Sequence, residues 1–83
     1  MELKDTVPLM ESGDWRERFM AEYLQAKIRY DRLYEIVVKY EACKLDFTPA
    51  CTLHLLEKQL DAMGEYIHCL RIRAEVEGIP LEG

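Results

Sequence analysis

The fold is decided by the stretch Leu53–Ala74, which reads LHLLEKQLDAMGEYIHCLRIRA. Apolar residues recur in it at alternating spacings of three and four, at Leu53, Leu56, Leu60, Met63, Ile67, Leu70 and Ala74. This spacing predicts a helix that packs along its length against another helix. A second apolar stripe lies beside the first, at Leu55, Ala62, Tyr66, Cys69 and Ile72. A helix with two stripes needs at least two neighbours, so we expect this helix to be central.

A second long helix precedes this one. Asp14 is a good N-cap for it, and Glu17 completes a capping box. No Gly or Pro follows until Pro49, and the seam residues are Phe19, Tyr23, Ala26, Tyr30, Leu33, Val37 and Tyr40. We therefore predict an all-α fold with two long antiparallel helices, a helical hairpin.

The boundaries follow from capping residues and breakers. Thr48 before Pro49 is typical of an N-cap with proline at the first helical position, and Gly78 is typical of a helix end. The predicted division of the single domain, residues 1–83, is a short N-terminal segment 1–13, a helix 14–44, a loop 45–48, a helix 49–77 and a tail 78–83. The N-terminal segment is either a frayed terminus or a short helix capped by Asp5 or Thr6. Gly64 predicts a close approach by another backbone or a ligand.

Charge and composition narrow the class of protein. The net charge of −5 argues against general binding to nucleic acid or to anionic membranes. No signal peptide and no membrane-spanning run is recognisable, and three cysteines cannot all pair within one chain. We therefore expect a reducing cytoplasm.

Self-association is expected because a two-helix hairpin leaves one side of each helix open. The predicted partner is a further copy of the same chain. The residues predicted at the oligomer interface are Tyr23, Tyr30, Leu60, Met63, Tyr66 and Leu70.

Residues for catalysis are scarce, so we expect no enzyme and no cofactor. Cys43, Cys51 and His54 are three soft metal ligands near one helix start, but no fourth ligand accompanies them, so we predict no metal site. Glu57, Asp61 and Glu65 form an acidic ladder along one helix face. That ladder is either a solvated face or a docking face for a basic partner.

The first long helix carries aromatic and basic residues in alternation, although the whole chain is acidic. Aromatic rings can stack on a nucleobase while arginines pair with its phosphate. Tyr23 and Tyr30 lie on the seam, which favours a place in the core. Trp15 and Arg29 lie off the seam and are better candidates to meet a small anionic or aromatic ligand.

Two patterns resemble a family of very small phage-encoded helical proteins that includes the anti-CBASS sponges. One is Leu56-x-x-Gln59-Leu60-x-x-Met63-x-x-Tyr66-x-x-x-Leu70-x-x-Arg73. The other is Arg18-x-x-x-Glu22 followed by Arg29-x-x-Arg32-Leu33. The resemblance covers about residues 16–74 and is clearest at 59–73.

The resemblance implies a hexamer of short N-terminal helices and long antiparallel helix pairs, with cyclic dinucleotides bound between protomers and cyclic trinucleotides bound among the long helices. It implies Arg29 as a phosphate-binding cation and Arg73 as a residue of the trinucleotide site. The full set of predicted ligand-binding residues is Trp15, Arg18, Arg29, Arg32 and Arg73.

The predicted function is a cytoplasmic phage anti-defence sponge that binds cyclic di- or trinucleotide immune signals without cleaving them. Three alternatives stay open. One is a sponge for a cyclic ADP-ribose derivative, and another is an acidic interaction module that inhibits a nuclease or other defence protein. The third is a minor virion or assembly factor.

Overall fold

The computed structural model describes residues 1–81 and consists there of helices and turns, without a strand. A 3-10 turn, Leu3–Thr6, leads into the short helix α1, Val7–Met10. Helix α2 spans Trp15–Glu41 and helix α3 spans Leu53–Glu77. The predicted all-helical class is therefore confirmed.

The seams predicted for the two long helices are confirmed by their burial. Every seam residue of α2 and α3 is buried or half-buried, and the two helices pack against each other. The second apolar stripe of α3 is exposed at all five of its positions. One face of α3 thus meets α2, while the other is uncovered in this chain.

Helix α2 begins where the sequence predicts and ends earlier. The Asp14 carboxylate accepts a hydrogen bond from the Arg16 backbone N–H at 3.0 Å, so Asp14 is the N-cap. At the other end Cys43 adopts a left-handed conformation, with φ of 59°, and the Lys44 N–H donates to the Lys39 carbonyl at 2.8 Å. A left-handed residue closed by such a bond ends a helix without glycine. The predicted end at Lys44 is therefore too late.

The predicted start of α3 at Pro49, with Thr48 as its cap, is wrong. Thr52 is the N-cap, and its hydroxyl accepts from the Leu55 N–H at 3.2 Å. Both threonines have the right chemistry, but Leu53 directly after Thr52 is the first seam residue. Helix therefore begins where burial against α2 begins, and the connection extends over 42–52 instead of 45–48.

The N-terminal segment is a short docked helix, which decides between the two alternatives left open by the sequence. Thr6 is fully buried, and its hydroxyl donates to the Leu3 carbonyl at 2.7 Å. The same oxygen accepts from the Gln25 amide of α2 at 2.8 Å. Because this buried hydroxyl both donates and accepts a hydrogen bond, it links the 3-10 turn at the start of α1 to α2.

The core is concentrated at one end of the helix pair. Its buried cluster consists of Phe19, Tyr23, Leu24, Leu70, Ala74 and Ile79. Gly78 ends α3 in a left-handed conformation, with φ of 69°, and directs Ile79 back into this cluster. The predicted tail 78–83 docks as far as the half-buried Leu81, and residues 82 and 83 lie outside the described residues. At the opposite end only Val37 is buried, so that end is held by fewer apolar contacts.

Candidate functional site

The start of α2 brings together three of the predicted ligand-binding residues. The Trp15 ring is 43% exposed there. The Arg18 guanidinium donates to the Ser12 carbonyl at 2.8 Å. Arg73 reaches the same end from α3, with its guanidinium 4.8 Å from the centre of the Phe19 ring. Each arginine thus has a partner within the chain with which a ligand would compete.

The Trp15 ring is already covered on one face. The Arg16 guanidinium lies 5.1 Å from its centre, a cation–π contact at an exposed site. Such contacts contribute about 0.5–1 kcal/mol, which a stacked nucleobase can offset. Trp15 can therefore offer its free face to a ring, or both faces once Arg16 has moved.

The other two predicted arginines lie farther along α2. Arg29 and Arg32 are exposed, and their positions put them about 17 Å and 21 Å beyond Arg18 along the helix axis. The structure therefore does not gather the five predicted residues at one place in a single chain.

Two of the predicted interface residues belong to the core of the chain itself. Tyr23 and Leu70 are each only 1% exposed, so they have almost no surface left to bury against another copy. The other four retain accessible surface: Tyr30, Leu60 and Met63 are half-buried, and Tyr66 is exposed.

Tyr66 also makes a contact across the helix pair. Its hydroxyl donates to the Glu22 carboxylate of α2. Burial first, and this bond to a negative group second, raise the pKa of Tyr66 to about 12. A protonated phenol is required for the bond, so Tyr66 is a donor throughout the physiological range.

The end of the helix pair opposite the core cluster, called the thin end because only Val37 is buried there, carries a group of carboxyls. Glu41 of α2 and Glu57 of α3, with Asp61, line a groove at this end. A hydrogen bond with Glu41 is the largest cause that raises the pKa of Glu57, followed by burial and by the Glu41 charge. Two of the residues in the predicted acidic ladder, Glu57 and Asp61, therefore border this groove, whereas Glu65 is exposed farther along α3.

One groove holds basic residues that are not among the five predicted ligand-binding residues. It lies beside Gly64 on one flank of the contact between α2 and α3, and its basic residues are Lys27, His68 and Arg71. His68 and Arg71 follow Gly64 by four and seven residues, which is the spacing of one helix face. The sequence could therefore have placed His68 and Arg71 on one face of α3. It could not show that Lys27 of α2 lies beside them, because that depends on how the two helices pack.

Cys43, Cys51 and His54 are the three soft metal ligands that lie near one helix start in the sequence. All three cysteines are free and exposed, and no cluster of metal-binding side chains occurs within residues 1–81. None of the helices in that range is long and apolar enough to cross a membrane.

These features describe a small all-helical protein with exposed cationic and aromatic side chains on its long helices. A family model described as Sequestin matches residues 13–76, and the chain belongs to that family. The name fits a sequestering sponge family, which confirms the resemblance seen in the sequence, and it suggests a binding protein rather than an enzyme. No match was found among curated proteins or solved structures.

Proposed function

We propose that the protein is a phage anti-defence sponge that binds cyclic oligonucleotide immune signals and holds them without cleavage. The observation that carries this proposal is membership of the Sequestin family over residues 13–76. A sponge works by stoichiometry. It lowers the free signal in the host cytoplasm only when its sites are comparable in number to the signal molecules and bind below the threshold of the receptor.

The ligand contacts in this proposal are Trp15, Arg18, Arg29, Arg32 and Arg73. Trp15 stacks on a base and the arginines pair with phosphates. The distance of about 17 Å between Arg18 and Arg29 along α2 supports a site shared by two protomers, because one copy can supply the helix start and the other the middle of α2.

A homo-oligomer of antiparallel helical hairpins is the second part of the proposal, with a hexamer as the assembly that the resemblance implies. The exposed second stripe of α3 supports it: Leu55 is 51% exposed, Tyr66 44% and Ile72 50%. Apolar side chains aligned on one face of a small protein are typical of a contact surface. In the oligomer this stripe and the accessible residues Tyr30, Leu60, Met63 and Tyr66 contact neighbouring copies.

Native mass spectrometry tests both parts. The purified protein is measured alone and with a panel of cyclic di- and trinucleotides and cyclic ADP-ribose isomers. We expect a closed oligomer that retains one class of unmodified nucleotide in a fixed ratio. If only a cyclic ADP-ribose isomer is retained, the protein is a sponge for that class of signal instead of for cyclic oligonucleotides. An oligomer that retains nothing would refute the sponge.

A second function, inhibition of a nuclease or another basic defence protein, is favoured by one observation. Glu41, Glu57 and Asp61 line one groove, which gives a concentrated acidic surface. Charge reversal of Glu57, Asp61 and Glu65 should abolish this activity and spare nucleotide capture. Arg29→Ala and Trp15→Ala should do the opposite, so the two functions are separable in the same infection assay.

A further inference from the structure

The groove beside Gly64 is small and is formed by residues of both α2 and α3. It encloses about 230 Å³ and is called the Gly64 groove below; its lining is Tyr23, Lys27, Tyr30, Gly64, Ile67, His68 and Arg71. Drug-sized ligands occupy pockets of roughly 300–1,000 Å³. The Gly64 groove can therefore hold one functional group of a nucleotide but not a whole cyclic dinucleotide.

The charge of the Gly64 groove is opposite to that of the chain. The protein has 16 acidic and 11 basic residues, yet no Asp or Glu is among the residues that line this groove. Lys27 and Arg71 enter it from α2 and α3 respectively. Cations that face each other without an intervening carboxylate raise the local positive potential, which favours an anion.

Carboxylates border the Gly64 groove without lining it: Asp61 and Glu65 line an adjoining groove that shares Tyr30, Gly64 and His68 with it. Lys27 is paired with Asp31 at 3.3 Å, and both side chains are well exposed, so this pair is weak. Arg71 makes no salt bridge with another residue of 1–81. Glu75 borders a neighbouring groove together with Arg71, one helical turn away. An incoming anion thus meets one guanidinium that has no salt bridge among residues 1–81 and one ammonium whose present partner is easily exchanged.

Gly64 sets the position of an aromatic ring in the groove. A Cβ at residue 64 would lie 3.4 Å from Cε2 of Tyr30, so the absence of a side chain leaves room along that ring. The Tyr34 ring stacks on Tyr30 with centres 6.2 Å apart. The Tyr30 ring is therefore held in place beside the two cations before any ligand arrives, and such preorganisation favours binding.

We propose that the Gly64 groove is a phosphate-binding site that takes one phosphodiester of the captured cyclic oligonucleotide. Lys27 and Arg71 pair with the phosphate oxygens, and the Tyr30 ring contacts the attached nucleoside. This inference rests on the proposed function and adds to it a site on the opposite flank of the helix pair from Glu22 and Tyr66. No oligomer is needed to form it.

The test compares two double variants with equal charge. Lys27→Gln with Arg71→Gln removes the cations of the Gly64 groove, and Lys39→Gln with Lys58→Gln removes one cation from each long helix elsewhere. Both take the formal charge from −5 to −7, because each loses two positive charges. Circular dichroism first checks that both variants keep the helicity of the parent.

Two probes are titrated into each protein: the cyclic nucleotide that is retained most strongly from the panel, and inorganic phosphate. Dissociation constants are measured by calorimetry, and ¹⁵N NMR follows the side-chain signals of Lys27 and Arg71. We expect the groove variant to bind the nucleotide at least about tenfold more weakly, since it loses charge-assisted hydrogen bonds, and the control to stay within about threefold. Phosphate should shift the Lys27 and Arg71 signals in the parent protein.

Each remaining outcome decides one of the two proposals. Equal nucleotide affinity in the groove variant and the parent would overturn the Gly64 site while the sponge stands. Phosphate shifts at Lys27 and Arg71 without any nucleotide retained would refute the sponge and keep an anion site. If no nucleotide is retained and phosphate shifts neither the Lys27 nor the Arg71 signals, both the sponge and the Gly64 site are refuted.

Discussion

Replacement of Gly64 by alanine should stabilise this protein, and the structure allows the size of the effect to be worked out. Gly64 lies inside α3, where glycine costs about 0.8–1.0 kcal/mol relative to alanine. The added Cβ would lie 3.4 Å from Cε2 and 3.8 Å from the hydroxyl of Tyr30, which is van der Waals contact rather than a clash. The expected gain in the free energy of unfolding is therefore about 0.5–1 kcal/mol.

Thermal and urea unfolding followed by circular dichroism measure this gain, at one fixed protein concentration because oligomers dissociate on dilution. For a chain of this size the melting temperature should rise by about 2–8 °C. Ala62→Gly is the matched control: it makes the reverse exchange at an exposed position of the same helix and should cost about 1 kcal/mol. If the control behaves so and Gly64→Ala nevertheless destabilises the protein, the space beside Tyr30 is tighter than we infer.

Three further predictions concern the cap, the core and the acidic end. In urea titrations, Thr52→Ala should lower the free energy of unfolding by about 0.5–2 kcal/mol, because it removes the N-cap. Thr48→Ala should change it by less than about 0.5 kcal/mol, and equal losses in the two variants would place the helix start at Pro49. Leu70→Ala should cost about 2–5 kcal/mol by the same assay, because the side chain is 1% exposed, and a loss below 1 kcal/mol would contradict its place in the core. The raised pKa of Glu57 means that its contribution to stability is fully present below the ordinary carboxyl pKa and is lost as the pH rises through the raised value. Unfolding measured across this pH range should therefore show a decline that Glu57→Gln flattens, and an unchanged profile in that variant would argue against the bond with Glu41.

The fold was predictable because the seams of α2 and α3 carry a regular signal. All of the seam positions from Phe19 to Tyr40 and from Leu53 to Ala74 are buried or half-buried, and the second stripe of α3 is exposed. Spacing alone decides which side chains share a helix face.

Helix ends were less predictable, because capping chemistry is not unique to one position. Thr48 before Pro49 and Thr52 before Leu53 are both acceptable starts, and only the contact with α2 distinguishes them. The end of α2 likewise depends on a left-handed Cys43, a conformation uncommon for a residue other than glycine. These choices are made by tertiary packing rather than by local propensity.

The candidate site was only partly accessible from the sequence. Trp15 and the arginines could be selected by residue type, but their separation along α2 and the contact of Arg73 with Phe19 depend on the packing of two helices. The sequence predicted a close approach of another backbone or a ligand at Gly64, but the neighbour there is the Tyr30 side chain of α2, at an ordinary van der Waals distance from where a Cβ would lie. Lys27 and Arg71, which are 44 residues apart in the sequence, could be joined only by the structure.

The distribution of charge explains how an acidic chain can serve an anionic ligand. Glu41, Glu57 and Asp61 are gathered at the thin end of the helix pair, where one carboxyl has a raised pKa. The lining of the Gly64 groove, about two helical turns farther along α3 from Glu57, contains Lys27 and Arg71 and no carboxylate. Screening in physiological salt reduces the interaction of charges beyond about 8 Å, so Glu57 weakens an anion site at Gly64 less than the net charge implies. Asp61 and Glu65 border the adjoining groove and lie close enough to oppose an anion there. Raised ionic strength should consequently weaken phosphate binding at the Gly64 groove, because the attraction between Lys27, Arg71 and the anion is the part that salt screens.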